Sequence, residues 1–491
     1  MADAPLSDAL VFFGATGDLA FKQIFPALQV MVVRGGLSIP IIGVANAGWG
    51  LERFRQRARE SLQAAGEFDP EAFRRLCQLL RYVDGDYRDT STFARVHEAL
   101  DGAERPLHYL AIPPSLFGTV VENLAWSNCL AQARVVVEKP FGRDLASARA
   151  LNALLHRFLP ESAIFRIDHY LGKEPVQNLL FFRFANVFLE PIWNLEHVRM
   201  VQVTLSEHFG VRGRGAFYEE VGAIRDVLQN HLLQIVGLLT MDAPFCKAPE
   251  SLRDEKALIF KAMRAIDPAA AVRGQYRGYR KEPGVSPASQ VETFAAVRMF
   301  IDSWRWADVP FYIRTGKFLP SNATEVFVEL YHPPRPIFEE PSLAPNFVRF
   351  RLGPDVLISI GARAKKPGGL MRGEDVELVA IQSPGARMQP YARLLGDAIR
   401  GDVSLFARQE TVEEAWRVVE PLLGNTSPLY EYEPGTWGPP EAETLIAPHG
   451  HWRPVLSPVR LAEVPRAAHP DELRRAGQEE AVQGVGPAAI H

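Results

Sequence analysis

Short apolar runs alternate with amphipathic segments along the first third of the chain. The amphipathic segments have helical spacing, and the near-continuous apolar runs are typical of strands buried on both faces of a parallel sheet. The predicted strands are Leu10–Phe13, Ile39–Val44, Leu107–Ile112 and Arg134–Val137, and the predicted helices are Leu51–Leu62, Glu71–Leu80 and Phe117–Cys129. This order of strand, helix and strand predicts a doubly wound, Rossmann-like α/β domain.

The pattern changes from about Val198, where apolar and polar residues begin to alternate as they do in an antiparallel sheet. The alternation recurs over 201–207, 293–300, 324–331, 347–352, 356–361 and 376–381, and helical patterns cover 222–239, 391–400 and 411–423. The second part of the chain is therefore predicted to be a larger α+β domain with a mainly antiparallel sheet.

These patterns predict three regions. We expect a dinucleotide-binding domain over residues 1–172 and an α+β domain for substrate binding and oligomerisation over 173–462. Residues 463–491 are rich in Ala, Gly, Pro, Glu and Arg and poor in core residues, so we expect a flexible tail there.

Composition excludes several classes of protein. The net charge of −4 over 491 residues gives no basic field for nucleic acid. No apolar run approaches the roughly 18–20 residues that span a bilayer, and the first residues lack the pattern of a secretory signal. The three cysteines show no close spacing, so neither a disulfide framework nor a metal site is indicated. We expect a soluble cytoplasmic protein.

A glycine-containing run follows the first predicted strand. Gly14-Ala-Thr-Gly-Asp-Leu-Ala20 is a G-x-x-G-x-x-A variant of the dinucleotide fingerprint, in which small residues permit a tight turn and a close approach of the pyrophosphate. The candidate cofactor-binding residues in it are Gly14, Thr16, Gly17, Asp18 and Leu19.

Three further candidates lie at carboxyl ends of predicted parallel strands, the edge at which such sheets bind ligands. Tyr109 is a candidate for cofactor binding, and Lys139 can reach either the nicotinamide or the substrate. Asn46 ends the second strand, where an acid favours NAD and an Arg favours the 2′-phosphate of NADP. Because Asn46 is uncharged, the choice between NADP and NAD stays open.

Two dense polar runs are candidates for chemistry. Arg166–Glu174 concentrates an acid, an imidazole, a phenol and an ammonium before an apolar helix, a combination suited to a phosphorylated, hydroxyl-rich molecule. In the second run, His231 lies among apolar helical positions and is a natural general base if a carboxylate orients it. Asp226 is five residues away and would not share a face with His231 on an ideal helix, so Asp168 is the more plausible partner.

Taken together, these motifs resemble those of the glucose-6-phosphate dehydrogenase family. The matching runs cover 14–20, 138–142, 166–174 and 225–234, with further similarity over 309–317 and 413–422. The resemblance extends over essentially the whole chain to about residue 455. The runs Arg166–Glu174 and Arg225–Gln234 are the most specific of these motifs.

The resemblance implies oxidation of D-glucose 6-phosphate to 6-phospho-D-glucono-1,5-lactone with hydride transfer to NAD(P)+, the first step of the oxidative pentose phosphate pathway. It implies that His231 takes the proton of the anomeric hydroxyl and that Asp168 orients His231. If residues 167–169 are extended, Asp168 and His169 point to opposite sides, one to His231 and one to the phosphate. The implied substrate-binding residues are His169, Tyr170, Lys173, Glu207, Asp226, Lys139 and Lys317.

Two positions depart from the family pattern. Asn322 stands where members often have a second basic residue, five positions after the lysine matching Lys317. Asn46 stands where NADP-using members commonly have Arg, so we hypothesise weakened NADP preference with use of NAD or of both cofactors. The resemblance also implies a homodimer or homotetramer.

Two other functions compete with this one. A related sugar oxidoreductase also fits a Glu-Lys-Pro turn after a Rossmann strand, but it is not expected to have the run Asp168–Lys173. A non-catalytic sensor of nucleotides or sugar phosphates fits the missing basic residues at 46 and 322. It would not require Asp168, Lys173 and His231 together.

Overall fold

The structure is a computed structural model that describes residues 5–66, 68–335, 337–338, 344–368, 371–381 and 389–455. The predicted tail, 463–491, lies outside these residues. Across the described ranges, no helix has the length and apolar character that crossing a bilayer would require.

The N-terminal part of the described chain forms a six-stranded parallel sheet in the order β3-β2-β1-β4-β5-β6. Its strands are β1 (Ala9–Phe13), β2 (Ile41–Ala45), β3 (Leu80–Asp84), β4 (Pro106–Leu110), β5 (Arg134–Val137) and β6 (Ile164–Arg166). The accompanying helices are α1 (Phe25–Val33), α2 (Leu51–Ala64), α3 (Pro70–Leu79), α4 (Thr90–Leu100), α5 (Phe117–Trp126) and α6 (Leu145–His156). This strand order confirms the Rossmann-like domain.

The sequence patterns missed two strands of this sheet. Strand β3 was not predicted because Arg81, Tyr82 and Asp84 interrupt its apolar character, and Leu80 was assigned to the preceding helix. Strand β6 has three residues, which is too short for a periodicity to show. Both strands lie at edges of the sheet, so each has one neighbouring strand in it.

The second part forms, within the described residues, a nine-stranded sheet in the order β14-β13-β12-β11-β7-β10-β9-β8-β15. The strands are β7 (Val198–Ser206), β8 (Ala271–Tyr276), β9 (Phe294–Met299), β10 (Phe311–Gly316), β11 (Ala323–Leu330), β12 (Phe347–Gly353), β13 (Leu357–Lys365), β14 (Gly373–Ile381) and β15 (Leu429–Tyr432). Strands β7 and β10 pair in parallel, as do β8 and β15, and the other neighbours are antiparallel. The prediction of a mainly antiparallel α+β domain is confirmed.

Helices cover the second sheet and link it to the first. They are α7 (Glu174–Ala185), α8 (Gly215–Ala223), α9 (Leu233–Thr240), α10 (Pro249–Ala262), α11 (Pro390–Arg400), α12 (Gln409–Val419) and α13 (Glu441–Ile446). Wider π-helical turns cover Ala20–Ile24 and Ile224–Leu232, and short 3-10 turns cover Pro114–Leu116, Glu161–Ala163, Glu190–Ile192, Pro268–Ala270, Tyr279–Lys281, Glu420–Leu422 and Ala447–His449. Helix α11 packs its apolar residues against the core around β1 and α1, so a segment late in the chain completes the first domain.

Candidate active site

The glycine run forms a tight turn at the carboxyl end of β1. Gly14 has a positive φ of 80°, and a Cβ there would lie 2.1 Å from the Ala111 carbonyl oxygen, so only glycine fits. Gly17 donates its N–H to Gly14 O at 2.9 Å, and a Cβ at Gly17 would meet only that oxygen within 4 Å. The outer side of the turn is therefore open, as the approach of a dinucleotide diphosphate requires.

The other residues of the run lie around this open side. Thr16 and Leu19 are half-buried, and Asp18 is exposed. Lys22 donates to Asp18 at 2.9 Å, and this hydrogen bond lowers the pKa of the Asp18 carboxyl. The chain enters a helical conformation directly after the turn, so backbone N–H groups at a helix start are available for a diphosphate.

Two residues that support the nucleotide turn were missed by sequence reasoning. Gly14 donates its N–H to the Tyr87 hydroxyl at 2.9 Å, and that hydroxyl donates to Val44 O at 3.1 Å. Asp84 accepts the N–H groups of Ala47 and Trp49 at 3.0 and 3.2 Å, which fixes the loop after β2. Asp84 is the last residue of β3 and Tyr87 follows it by three positions, so both candidates were missed because that strand was not predicted.

Asn46 and Tyr109 have different surroundings. Asn46 is exposed at the carboxyl end of β2, where a cofactor ribose is expected. Tyr109 is fully buried in β4 and donates its hydroxyl to Glu138 Oε1 at 2.5 Å. The prediction that Tyr109 binds the cofactor is corrected for its side chain, because this side chain has no accessible surface. Burial raises the pKa of Glu138 to about 7.

The loop after β5 places Lys139 in contact with Asp226 and His231. Trp416 donates its indole N–H to Phe141 O at 2.9 Å, and a Cβ at Gly142, whose φ is 83°, would lie 2.5 Å from Ala148 N. The loop is thus packed closely against α6 and α12. Lys139 Nζ lies 3.3 Å from Asp226 Oδ1 and 3.0 Å from His231 Nε2.

The segment that bears Asp226 and His231 begins at a break in the helix. Gly222 has a φ of 63°. The backbone carbonyl of Glu292 accepts the N–H of Ala223 at 2.9 Å, and the Glu292 carboxylate accepts the N–H of Ile224 at 3.1 Å. The following Ile224–Leu232 segment is π-helical. Its wider turn brings residues five apart closer to one face than an α-helix would.

The prediction that Asp226 and His231 do not share a face is therefore wrong. Lys139 Nζ contacts both side chains at once. Burial alone would raise the pKa of Asp226, but the charges of Lys139 and Lys317 outweigh it and lower that pKa. Asp226 thus faces Lys139, and it does not replace Asp168 as the partner of His231.

His231 lies between the carboxylate of Asp168 and the ammonium group of Lys139. Its Nδ1 is 2.6 Å from Asp168 Oδ1, and its Nε2 is 3.0 Å from Lys139 Nζ. An ammonium group can only donate hydrogen bonds, so His231 Nε2 accepts the one from Lys139. The ring proton is therefore on Nδ1, which donates a hydrogen bond to Asp168. Burial lowers the pKa of His231, and Lys139 adds to this while Asp168 opposes it. Burial would raise the pKa of Asp168, but the charge and hydrogen bond of His231 prevail and lower it.

His169 and Tyr170 pack directly around His231. The ring of His169 lies 4.6 Å from that of His231 edge-on, and the ring of Tyr170 stacks on His231 at 4.2 Å. Residues 169–170 form a turn, and Asp168 Oδ1 accepts the Tyr170 N–H at 2.9 Å. The extended geometry that would send Asp168 and His169 to opposite sides is therefore absent from this described segment.

Lys173 precedes α7, and its Nζ lies 3.5 Å from the centroid of the Tyr170 ring. Burial lowers the pKa of Lys173 to about 8. Burial also holds the pKa of His169 well below its ordinary value, and the neighbouring His231 lowers it further. In the free protein His169 is thus a neutral hydrogen-bonding group, and Lys173 is the cation of the pair near neutral pH.

Glu207 and Lys317 form an ion pair at the ends of β7 and β10. Lys317 is buried, and Glu207 is partly exposed. Asn322 accepts the backbone N–H of His208 at 2.8 Å, so its side chain links the loop after β7 to the loop before β11. The position lacking a basic residue therefore has a structural contact of its own.

Asp168, His169 and His231 place side-chain donor atoms within 4.8 Å of one another, a spacing that also suits a metal ion. Two ligands of one zinc ion stand about 2.0 Å from the metal and well apart from each other. The direct 2.6 Å contact between Nδ1 and Oδ1 is instead that of a hydrogen-bonded acid–base pair.

Two models of known protein families match this chain. Residues 11–178 match the family model described as "Glucose-6-phosphate dehydrogenase, NAD binding domain", and residues 180–453 match "Glucose-6-phosphate dehydrogenase, C-terminal domain". The chain belongs to the glucose-6-phosphate dehydrogenase family. The sequence resemblance to this family is confirmed.

Relatives in the glucose-6-phosphate dehydrogenase family cover nearly the same length. "Glucose-6-phosphate 1-dehydrogenase 1" of Mycobacterium tuberculosis (strain CDC 1551 / Oshkosh) is 42% identical over 451 residues, 91% of this chain and 96% of the relative. "Glucose-6-phosphate 1-dehydrogenase" of Aggregatibacter actinomycetemcomitans is 38% identical over 478 residues, 90% of this chain and 97% of the relative.

Solved structures of glucose-6-phosphate dehydrogenases share the fold. The crystal structure of the Mycobacterium avium enzyme is 44% identical, with a TM-score of 0.87 over 93% of this chain and 100% of that one. A glucose-6-phosphate dehydrogenase "in complex with its substrate glucose-6-phosphate" is 33% identical, with a TM-score of 0.86 over the same shares of the two chains. Both domains are thus those of the glucose-6-phosphate dehydrogenase fold.

Proposed function

We propose that this protein oxidises glucose 6-phosphate to 6-phospho-D-glucono-1,5-lactone with NAD(P)+, the first step of the oxidative pentose phosphate pathway. The observation that carries the proposal is the position of His231, whose Nδ1 is bound by Asp168 while its Nε2 faces Lys139. A base fixed in this tautomer can accept a proton at Nε2 only, which defines where the reacting hydroxyl must lie.

In this mechanism the anomeric hydroxyl of the substrate donates its proton to His231 Nε2 in place of the Lys139 ammonium. Asp168 holds Nδ1 and stabilises the imidazolium that forms. A nicotinamide cofactor held by the turn at Gly14 and Gly17 would supply the acceptor for the hydride that leaves C1. The C1–O bond then becomes the carbonyl of the lactone, so one hydride and one proton leave the sugar together.

The remaining polar groups hold the sugar and its phosphate. His169, Tyr170 and Lys173 form the phosphate-binding group, with Lys173 as its cation. Glu207, Asp226 and Lys317 bind sugar hydroxyls, and Lys139 contacts both substrate and cofactor. Gly14, Thr16, Gly17, Asp18, Leu19 and Asn46 bind the dinucleotide.

A comparison of substrates tests the function. Purified protein is incubated with glucose 6-phosphate or with glucose and either cofactor, and reduction of the nicotinamide is followed by absorbance. We expect turnover with the phosphate ester and a kcat/KM for glucose that is lower by about 10²-fold or more, because charge-assisted hydrogen bonds to the phosphate are lost. Comparable activity on glucose would favour a related sugar oxidoreductase. No turnover with any hexose phosphate would favour a sensor.

The buried ammonium of Lys173 predicts how substrate binding depends on pH. Its pKa of about 8 means that the cation is lost as the pH rises through that value, so kcat/KM for glucose 6-phosphate should fall above about pH 8. Lys173→Gln should raise KM on the order of 10- to 100-fold, with a smaller effect on kcat. Steady-state kinetics over a pH series measure both. Lys281→Gln, on an exposed turn, is the matched control, and a Lys173→Gln enzyme with wild-type KM would contradict this role.

We further propose that the adenosine end of the site has a weakened preference for NADP and accepts NAD. Asn46 brings no charge to a 2′-phosphate, and the Asp84 carboxylate lies against the same loop. Burial opposes ionisation of Asp84, but the hydrogen bonds that its carboxylate accepts have the larger effect and lower the pKa of Asp84. Arg53, over the Trp49 ring, is paired with Glu60 at 3.1 Å.

Substitution of Asn46 tests the cofactor proposal. Asn46→Arg should raise the ratio of kcat/KM for NADP+ to that for NAD+ by about tenfold or more, because a guanidinium forms charge-assisted hydrogen bonds to the 2′-phosphate. Asn46→Gln, which adds length without charge, should leave the ratio within about twofold. A strong NADP preference in the wild-type enzyme would defeat the proposal.

Assembly into a homodimer or homotetramer and a cytoplasmic location stay predictions. The large sheet of the second domain is the surface we propose for self-association.

A further inference from the structure

A carboxylate from β3 lies in the loop at the adenosine end of the nucleotide site. Asp84 is the last residue of β3 and stands beside Ala45, the last residue of β2. Its Oδ1 accepts the backbone N–H groups of Ala47 and Trp49 at 3.0 and 3.2 Å. The N–H of Gly48, between them, also donates to this carboxylate. Three consecutive N–H groups of the loop after β2 therefore converge on one internal anion.

Consecutive backbone N–H groups that converge in this way form a concavity that binds anions in many proteins. We call residues 46–49 the adenosine loop. Gly48 has a φ of 66°, a conformation that favours glycine and lets the loop turn. Because Asp84 already occupies the converging donors of the adenosine loop, they are not available to a phosphate of a bound cofactor.

The adenosine loop adjoins the glycine turn. Val44 O accepts the N–H groups of Gly14 and Ala15 at 3.0 and 3.2 Å, two residues before the loop begins. In a doubly wound sheet the glycine turn receives the diphosphate, and the end of β2 lies at the adenosine ribose. An acid that favours NAD ordinarily stands at the end of β2, where this chain has Asn46. Asp84 instead brings an acid from the end of the neighbouring strand to the loop that bears Asn46.

The donors that the structure describes around the Asp84 carboxylate are neutral groups. They are the N–H groups of the adenosine loop and the hydroxyl of Tyr82, which donates at 3.0 Å. Arg95, on α4, donates to the backbone carbonyl of Asp84 at 2.9 Å and not to its carboxylate. The side chain of Asp84 therefore places a full negative charge at this edge of the sheet.

We propose that Asp84 is a specificity-determining residue, whose carboxylate occupies the anion-binding loop that would otherwise receive the 2′-phosphate of NADP. The inference deepens the proposed cofactor preference and rests on the proposed function. The unphosphorylated ribose of NAD brings no charge to this edge of the sheet, so it is not repelled. A 2′-phosphate meets both a like charge and backbone donors that are already used.

Asn46 and Asp84 make different contributions to this preference. Asn46 lacks the positive charge that would attract a 2′-phosphate, whereas Asp84 adds a negative charge that repels it. A repulsive element of this kind sets specificity by penalising the other ligand. If Asp84 only fixed the shape of the adenosine loop, its loss would weaken binding of NAD+ and NADP+ equally. The ratio of the two affinities therefore separates a specificity role from a structural one.

Two substitutions of Asp84 test the proposal. Asp84→Asn keeps the shape of the side chain and an oxygen that can accept the loop N–H groups, but it removes the charge. Asp84→Ser shortens the side chain and frees the loop N–H groups. Calorimetric titration of the full-length protein with NAD+ and with NADP+, without substrate, measures both dissociation constants. We expect Asp84→Asn to tighten NADP+ binding relative to NAD+ by about three- to tenfold. Asp84→Ser should add a further factor of about three or more.

Asp101→Asn is the matched control, because Asp101 is exposed, pairs with Arg81 and precedes β4 at the opposite edge of the same sheet. It should leave the ratio of affinities unchanged. Asp84→Asn decides the question alone if the Ser variant folds poorly, since it retains acceptors for the loop. An unchanged ratio in folded Asp84→Asn, or a ratio that rises only because NAD+ binding weakens, would overturn the proposal.

These titrations do not depend on turnover. If the wild-type protein fails to oxidise glucose 6-phosphate, or binds NADP+ with a strong preference, the proposed function fails in that part. The change in the affinity ratio between wild type and Asp84→Asn still decides the role of Asp84. Failure of the inference and failure of the proposed function are therefore distinguishable.

Discussion

Replacing His231 with alanine should lower kcat by about 10²–10⁴-fold or more while equilibrium binding of glucose 6-phosphate is largely kept. The imidazole is the group whose Nε2 can accept the hydroxyl proton in place of its contact with Lys139, since Asp168 binds the other nitrogen at 2.6 Å. The phosphate-binding groups His169, Tyr170 and Lys173 are retained in the variant. Steady-state kinetics and calorimetric titration with the substrate measure the two effects separately.

The control for this variant is His197→Ala, because His197 is exposed and its ring contacts only Asn194 among the hydrogen bonds described. It should retain wild-type kinetics. Retention of turnover by His231→Ala would contradict the assignment of the base. Because burial lowers the pKa of His231, the acid limb of the wild-type profile should lie below the pH at which an ordinary histidine titrates.

Asp168→Asn should also lower kcat on the order of 10²–10⁴-fold, although the side chain keeps its shape. An asparagine can offer its NH2 group to His231 Nδ1, which favours the tautomer with the proton on Nε2. A histidine in that tautomer cannot accept the proton of the anomeric hydroxyl. The variant also loses the negative charge that stabilises the imidazolium, so both effects reduce kcat.

The kinetics of Asp168→Asn are compared with those of Asp302→Asn, an exposed surface carboxylate paired with Arg264. The control should be unchanged. We expect KM for the substrate to change less than kcat, because Asp168 contacts His231 at Nδ1 and the substrate hydroxyl is expected at Nε2. A KM effect without a kcat effect would show that Asp168 binds substrate and does not orient His231.

The fold was predictable where a single periodicity dominated. Strands buried on both faces, such as β1 and β4, are recognisable as continuous apolar runs. The same property explains the error at Tyr109, because a run without alternation does not indicate which side chains point to the site and which into the core. Strand β3 was missed because its polar residues obscured the pattern, and Asp84 and Tyr87 were missed with it.

The sequence predicted which residues belong to the site better than it predicted how these residues contact one another. The motifs named Asp168, Lys139 and His231, but their contacts depend on three separate elements that only the fold brings together. The five-residue spacing of Asp226 and His231 misled an argument that assumed an α-helix, since the segment is π-helical.

The most direct test of the account follows the hydrogen at C1. Glucose 6-phosphate carrying deuterium at C1 is turned over by the wild-type enzyme, and the reduced nicotinamide is analysed by mass spectrometry. The account predicts that the deuterium appears in the reduced cofactor with wild type and that its transfer is slowed by about 10²-fold or more in His231→Ala. Reduced cofactor without deuterium, or equal transfer by both proteins, would contradict it.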